Sequence, residues 1–382
     1  MYLDPNNQSG NEAKLKASGS QIVNVFDDDF KFAQNLRLNL GFDFRLLGID
    51  WTAEALYSKT LNDVYYKQLA YDLNGETVAS KYGYAWDTRP MYKKVTDGTA
   101  FNEIYGLYNT SKGYTYNLSL KAEKKFDFGL DVMASYTFTK SKSVNNGSSS
   151  VAKSNFRYNY THEDSNNPEL GNSAYNVPHR IQASVFYHAD YGTQKNWRTT
   201  VGLIYTGKSG SPYSYYYYGD LNGDYADGND LMFIPTDAQI DQMQFQDLKV
   251  SGKTLDAAQQ RADLKEWIAG DSYLSKHRGE YYDRYADNLP FEHHFDFHFG
   301  QKFSFKVGKQ INAIELTCDI LNIANLLNKD WGHTYGDGFG VYYSPVTYKG
   351  NGQFQFNKNN ATKSYNDFYS RWRGQIGLKY TF

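Results

Sequence analysis

The sequence predicts an all-β fold, a transmembrane antiparallel β-barrel, and three observations carry that prediction. Apolar and polar residues alternate over runs of about ten or more positions, the pattern of a strand whose two faces meet different surroundings. The connections between these runs alternate between short and long. That is the layout of an outer-membrane barrel, with tight turns on one side and long loops on the other. Aromatic residues make up 17% of the 382 residues, with 36 Tyr against 24 Phe. A ring with a polar tip suits a surface half apolar and half wet. This third observation fits a Tyr-rich soluble glycan binder equally well, and strand length separates the two. Soluble strands peak near five or six residues, whereas a strand tilted about 45° needs roughly nine to eleven to cross a bilayer.

The elements follow in order. Residues 1–20 read as a loop or disordered start. The opening MYLDPNNQSGNEAK has neither a charged n-region nor an apolar h-region, so it is no signal peptide, and an outer-membrane chain would need its export signal upstream. Phe32–Arg45 sets Leu36, Leu38, Leu40, Phe42 and Phe44 against Arg37, Asn39, Asp43 and Arg45. A turn at Leu46–Gly48 leads to Ile49, Trp51, Ala53, Ala55 and Tyr57 against Asp50, Thr52, Glu54 and Ser58. Gly113–Lys124 and the run from Leu130 to Thr139 pair across the turn Lys125–Phe128, and His179–Ala189 pairs with Trp197–Gly207 across Tyr191–Asn196. Phe291–Phe305 and Asn312–Asn322 pair across Lys306–Gln310. The last run ends apolar, with Trp372, Ile376, Leu378, Tyr380 and Phe382 on one parity. Tyr71–Ala100, Ser141–Val177 and Gly219–Pro290 are the long polar connections. The spacing gives roughly ten to twelve strands, depending on whether Ser209–Tyr218 and Val341–Tyr348 belong to the wall.

Composition narrows the function classes. A net charge of −2 carries no basic excess for nucleic acid. Hydrophobic residues at 40% and a mean hydropathy of −0.70, with no run of about eighteen apolar residues, exclude a helical membrane protein. The single Cys318 allows no internal disulfide. No nucleophile elbow, phosphate loop, Cys-x-x-Cys or His-Glu-x-x-His motif occurs, so the chain is not expected to be an enzyme.

The long loop 219–290 holds the candidate chemistry. Asp220, Asn222 and Asp224 stand at the first, third and fifth positions of a calcium loop, and Asp230 adds oxygens. Tyr225 stands where that loop needs Gly and Leu231 where it needs Glu, and Asn-Gly and Asp-Gly also serve as plain turns. Thr254–Ala269 reads as a helix capped by Thr254 and ended by Gly270, with Leu264, Trp267 and Ile268 packing on its own loop. His294, Asp296 and His298 share one strand face, next to His293. They line a polar lumen or hold a metal. Tyr213–Tyr218 offers flat rings to sugars or peptides, or joins an interfacial girdle.

Several strings together resemble the C-terminal barrel part of TonB-dependent outer-membrane receptors, in the Oar-like, SusC-related subgroup of Bacteroidota. They are FDDDFKFAQNLRLNLGFD (26–43), ALYSKTLNDVYY (55–66), SKGYTYNLSL (111–120), NNPELGNSAYNVPHR (166–180) and SGSPYSYYYYGDLNGDYADGNDLMFIP (209–235). YLSKHRGEYYDRY (273–285), LTCDILNIANLLNKDWG (316–332) and RWRGQIGLKYTF (371–382) complete the set. The resemblance implies a barrel of about 22 strands with a plugged lumen, of which this sequence supplies the C-terminal part. The plug, the signal peptide and the TonB-contacting box are absent from it. It further implies energy-coupled nutrient uptake through the TonB complex, a cell outer membrane location and a surface lipoprotein partner. Tyr380 and Phe382 would form the signal read by the barrel-assembly machinery. Two other classes remain open at this point, a non-transporting barrel such as an adhesin or structural porin, and a soluble β-sandwich.

Overall fold

The computed structural model describes residues 21–96, 101–336 and 341–382. The start at 1–20 lies outside the described residues. Nine long strands follow one another as a single antiparallel wall. They are β1 (Gln34–Leu46), β2 (Ile49–Gln68), β3 (Tyr114–Lys125), β4 (Leu130–Ser143), β5 (His179–Tyr191), β6 (Trp197–Lys208), β7 (Glu292–Val307), β8 (Gln310–Leu321) and β9 (Arg373–Thr381). Each pairs with the next. Three further segments extend this sheet to twelve strands. Phe101–Thr110 pairs with the upper end of β2, Gln21–Phe26 runs parallel to it, and Gly171–Asn172 sits beside the top of β4. The sheet is not closed. β1 pairs only with β2 and β9 only with β8, and an odd number of antiparallel strands makes these two edges run in the same direction.

The four tight turns fall on one side, as the sequence predicts. Leu47 and Gly48 both have positive φ, 55° and 71°, the mirror-image turn whose twist matches the flanking strands. Gly129 is fixed by a neighbour as well as by its φ of 92°, since a Cβ there would lie 2.1 Å from the His188 carbonyl oxygen.

The register places the alternating faces in rows. Phe44, Trp51, Ala122, Ala134, Ala183, Tyr205 and Phe295 are successive cross-strand neighbours on the outer face. Val132, Val185, Leu203, Phe297 and Ile320 form the next row towards the turns. Leu38, Leu40, Leu118, Leu316 and Leu378 on the same outer face are exposed. The inner face carries Asp43, Thr52, Lys121, Ser135, Gln182, Thr206 and His294 in one row. An apolar outside and a polar inside is the inverse of a soluble core, and it matches a wall with lipid on one side and water on the other. Aromatic pairs sit at both ends of the belt. Phe44 stacks on Trp51 and Trp197 packs on Phe303 near the turns, while Tyr116 packs on Phe138 and Tyr205 on His293 near the loops.

The tightly packed core lies above the wall, in a crown built by the long connections. Tyr213, Tyr215, Leu231, Met232, Ile234, Leu264, Ile268, Tyr282, Val346 and Phe356 are buried in one cluster. Ser209–Tyr218 and Val341–Tyr348, the two ambiguous segments, contribute to the crown rather than the wall. Pro212–Tyr218 and Val341–Tyr348 pair in parallel within a separate five-stranded sheet. The loop helix runs Ala257–Gly270 and not Thr254–Ala269. Lys253–Leu255 pairs with Leu248–Val250 and draws Thr254 into a strand, so Asp256 caps the helix by accepting from the Gln259 backbone N–H at 2.8 Å. Leu264 and Ile268 are buried as expected, and Trp267 meets Tyr215 edge to face at 4.9 Å. Among the described residues no helix is long and apolar enough to cross a membrane, which says nothing of strands.

Candidate functional site

The polar face of the wall and the underside of the crown are the surfaces that could meet a solute. On β7 and β8 the inward row His298–Asp319–Gln375 continues to β9. His298 Nδ1 lies 2.6 Å from Asp319 Oδ1. Asp296 accepts the Asn322 backbone N–H at 2.8 Å. These groups, with Arg373, line a cavity of about 390 Å³. His294 lies 3.2 Å from Thr334 Oγ1, and His293, on the opposite face, 2.8 Å from the Tyr205 hydroxyl. The metal reading of this row gives way to the lumen reading. Each side chain is held by a different neighbour, and among the described residues no three His, Cys, Asp or Glu side chains converge to hold an ion.

Two buried arginines tie the long connections into one crown. Arg89 donates to Asp87 Oδ1 at 3.0 Å, Asp230 Oδ1 at 2.9 Å and the Leu231 carbonyl at 2.7 Å. Burial by itself would lower its pKa, and the combined pull of Asp87, Asp230, Tyr217 and Tyr281 raises it instead. Arg284 reaches the Val144 carbonyl at 2.7 Å, Asn159 Oδ1 at 2.8 Å and the Ser143 carbonyl. Sequence reasoning missed both. An isolated arginine in a polar loop carries no pattern, and only the approach of distant connections shows its role.

The predicted calcium-loop residues are neighbours in the fold, but their three carboxylates do not converge on one point that could hold an ion. Asp220 accepts the backbone N–H groups of Gly223 and Tyr225 at 2.7 and 3.0 Å. Asp224 accepts from Ala226 N–H at 2.8 Å and from the Asn229 amide at 2.6 Å, with the Asn222 amide 3.4 Å away. Asp230 accepts from Leu221 N–H at 3.0 Å while it faces Arg89. Asn222, Asp224, Asn229 and Asp230 are almost fully buried. Burial, added to mutual repulsion, pushes Asp220 up to about 8 and Asp230 to about 7, and burial raises Asp224 as well. The oxygens are of the hard kind calcium takes. Arg89 already answers the charge of Asp230, and Asn229 Oδ1 is left without a partner.

The tyrosine run has a third role that neither sequence reading named. Tyr213, Tyr215 and Tyr217 are buried, with ring centroids 5.3 Å apart between Tyr213 and Tyr215 and between Tyr215 and Tyr282. Their hydroxyls donate to Asp287, Asp271 and the Phe233 carbonyl. These rings are core, neither girdle nor sugar platform. At the other end of the chain, Tyr380 donates to Asn312 Oδ1 at 2.6 Å and stacks on the exposed Phe382 at 5.9 Å.

A wall with an apolar outside, a polar inside, tight turns below and a crown above is the geometry of an outer-membrane barrel. The family model for the outer membrane beta barrel domain matches residues 4–341. The chain belongs to this family. Its place is therefore the outer membrane, with lipid against the exposed belt. No match to a curated protein was found.

Proposed function

We propose that this outer membrane beta barrel chain forms part of the wall and crown of an energy-coupled transporter, a TonB-dependent receptor of the Oar-like, SusC-related kind. One observation carries the reading: the two free edges, β1 and β9, are apolar on the outside and run in the same direction. Unpaired backbone groups in lipid cost several kcal/mol each, so the edges need partner strands. An all-antiparallel closure then needs an odd number of them. One added strand already satisfies this rule; the resemblance noted above implies about 22 strands in all, and transporter barrels of that width enclose a plug. The sequence strings noted above supply the rest of the reading.

In this reading the crown and the plug receive a nutrient, and the TonB complex moves the plug. A surface lipoprotein caps the crown, and the barrel-assembly machinery reads Tyr380 and Phe382. No catalysis is assigned to the chain. A photo-crosslinking side chain at lumen-facing Gln182 tests the proposal in cells. It is expected to capture a plug domain with a yield that changes when the proton gradient is collapsed. Absence of any plug adduct favours a non-transporting barrel.

A further inference from the structure

We infer that a small cavity in the crown binds a zwitterion, a free α-amino acid with a small apolar side chain. The inference rests on the crown alone and stands whether or not the barrel transports. The cavity holds about 140 Å³ and lies where the connection after β4 meets the long loop 219–290. Lys142, at the top of β4, and the buried Arg284 line it together with Glu169 and Asp283, while Leu170 and Leu231 add apolar contacts. Two cations and two carboxylates face one space. Among the described residues none of the four meets another of opposite sign at ion-pair distance.

The fold holds these charges apart. Arg284 donates to the Val144 and Ser143 carbonyls and to Asn159 Oδ1, all neutral acceptors, and its Nε has no partner. Burial pushes its pKa below the usual arginine value, as expected of a guanidinium without a paired carboxylate. Gly171 leaves room for that side chain, since a Cβ there would lie 2.6 Å from Arg284 Nε. Lys142 is the cross-strand neighbour of Asn172, so the short strand Gly171–Asn172 sets both cations beside the cavity. Glu169 is tied back by the Thr161 hydroxyl, which donates to it at 2.7 Å. Asp283 is exposed, with no side-chain hydrogen bond among the described residues. A simple anion entering here meets two carboxylates, and a simple cation meets a lysine and an arginine. A molecule with a carboxylate and an ammonium answers both pairs at once through charge-assisted hydrogen bonds. The volume equals that of about four to five waters, which suits an amino acid the size of alanine.

The test uses the full chain in mild detergent, with binding read by isothermal titration calorimetry. The probes are L-alanine, N-acetyl-L-alanine, which lacks the ammonium, and L-alaninamide, which lacks the carboxylate. L-alanine is expected to bind roughly tenfold more tightly than either analogue, the worth of one hydrogen bond to a charged group. Lys142→Gln should reduce the preference over L-alaninamide, and Glu169→Gln the preference over N-acetyl-L-alanine. The comparison of the three probes on the wild type stands even where a variant fails to fold. No binding of millimolar L-alanine, an analogue that binds as tightly as L-alanine, or preferences unchanged in both variants would each overturn the inference.

Discussion

At the scale of residues, the acidic knot under the crown is the most unusual arrangement. Asp220, Asp224 and Asp230 lie near enough to repel one another, and Arg89 faces only Asp230 among them. Their pKa values are raised, so each holds its proton more tightly in the fold than in the unfolded chain. The stability they contribute is full below about pH 4 and is lost as the pH rises towards 7–8. The crown's melting temperature, followed by its tyrosine signal, should fall between about pH 5 and 8, and Asp220→Asn should flatten the slope. Calcium binding needs deprotonated carboxylates. A calcium ion held by this knot would raise the melting temperature near pH 8 and remove the slope. An unchanged melting temperature retires the calcium reading of Asp220, Asn222, Asp224 and Asp230.

At the scale of elements, a wall strand is defined by which solvent each side chain meets. Leu118 is an exposed belt residue between Ala55 and Phe138, well away from either turn. Leu118→Arg should cost about 2–4 kcal/mol in refolding into bilayers. Asn117→Arg, on the wet face, should be tolerated. Val132 lies opposite Lys124 and close to the turn, not at mid-strand as its place in the alternating run suggests. An arginine there can reach the headgroups, and its cost should be about 0–1 kcal/mol. Equal costs at all three positions would contradict the two-solvent wall. The lengths of the elements agree with it. β2, with 20 residues, spans about 66 Å, which exceeds any membrane, and its upper end pairs with Phe101–Thr110 in the crown.

At the scale of the whole molecule, the free edges decide what the sheet can become. Nine antiparallel strands closed on themselves would join β1 and β9 in parallel. Completion by further strands keeps them apart. Cysteines replacing Leu40 and Leu378, with Cys318→Ser to remove the native thiol, should form no intramolecular disulfide in membranes. The bond requires Cα atoms within roughly 7 Å. A high yield of that disulfide would show self-closure and remove the main support for a larger barrel. The crown responds to different forces. Its buried tyrosines, the Arg89 and Arg284 struts and the helix Ala257–Gly270 make it a packed body in water.

The wall was legible because its signal is local. Leu36 to Phe44, Leu118 to Ala122 and Ile376 to Phe382 alternate over long stretches, and a period of two needs no knowledge of neighbours to be read. Turn positions followed from the same pattern. The crown was not legible, because its partners are far apart in sequence. The tyrosines at 213–217 have the composition of a girdle, and only the parallel pairing with Val341–Tyr348 shows them to be core. Thr254 looks like a cap until Leu248–Val250 pairs beside it. Asp220, Asn222, Asp224 and Asp230 were found by spacing, but the guanidinium facing Asp230 comes from Arg89, 141 positions away. The sequence by itself determined the strands, their faces and their membrane, because each depends on which solvent a residue meets. Tertiary structure alone decided the count of wall strands, the open edges and the crown's core, because these depend on which distant segments find each other.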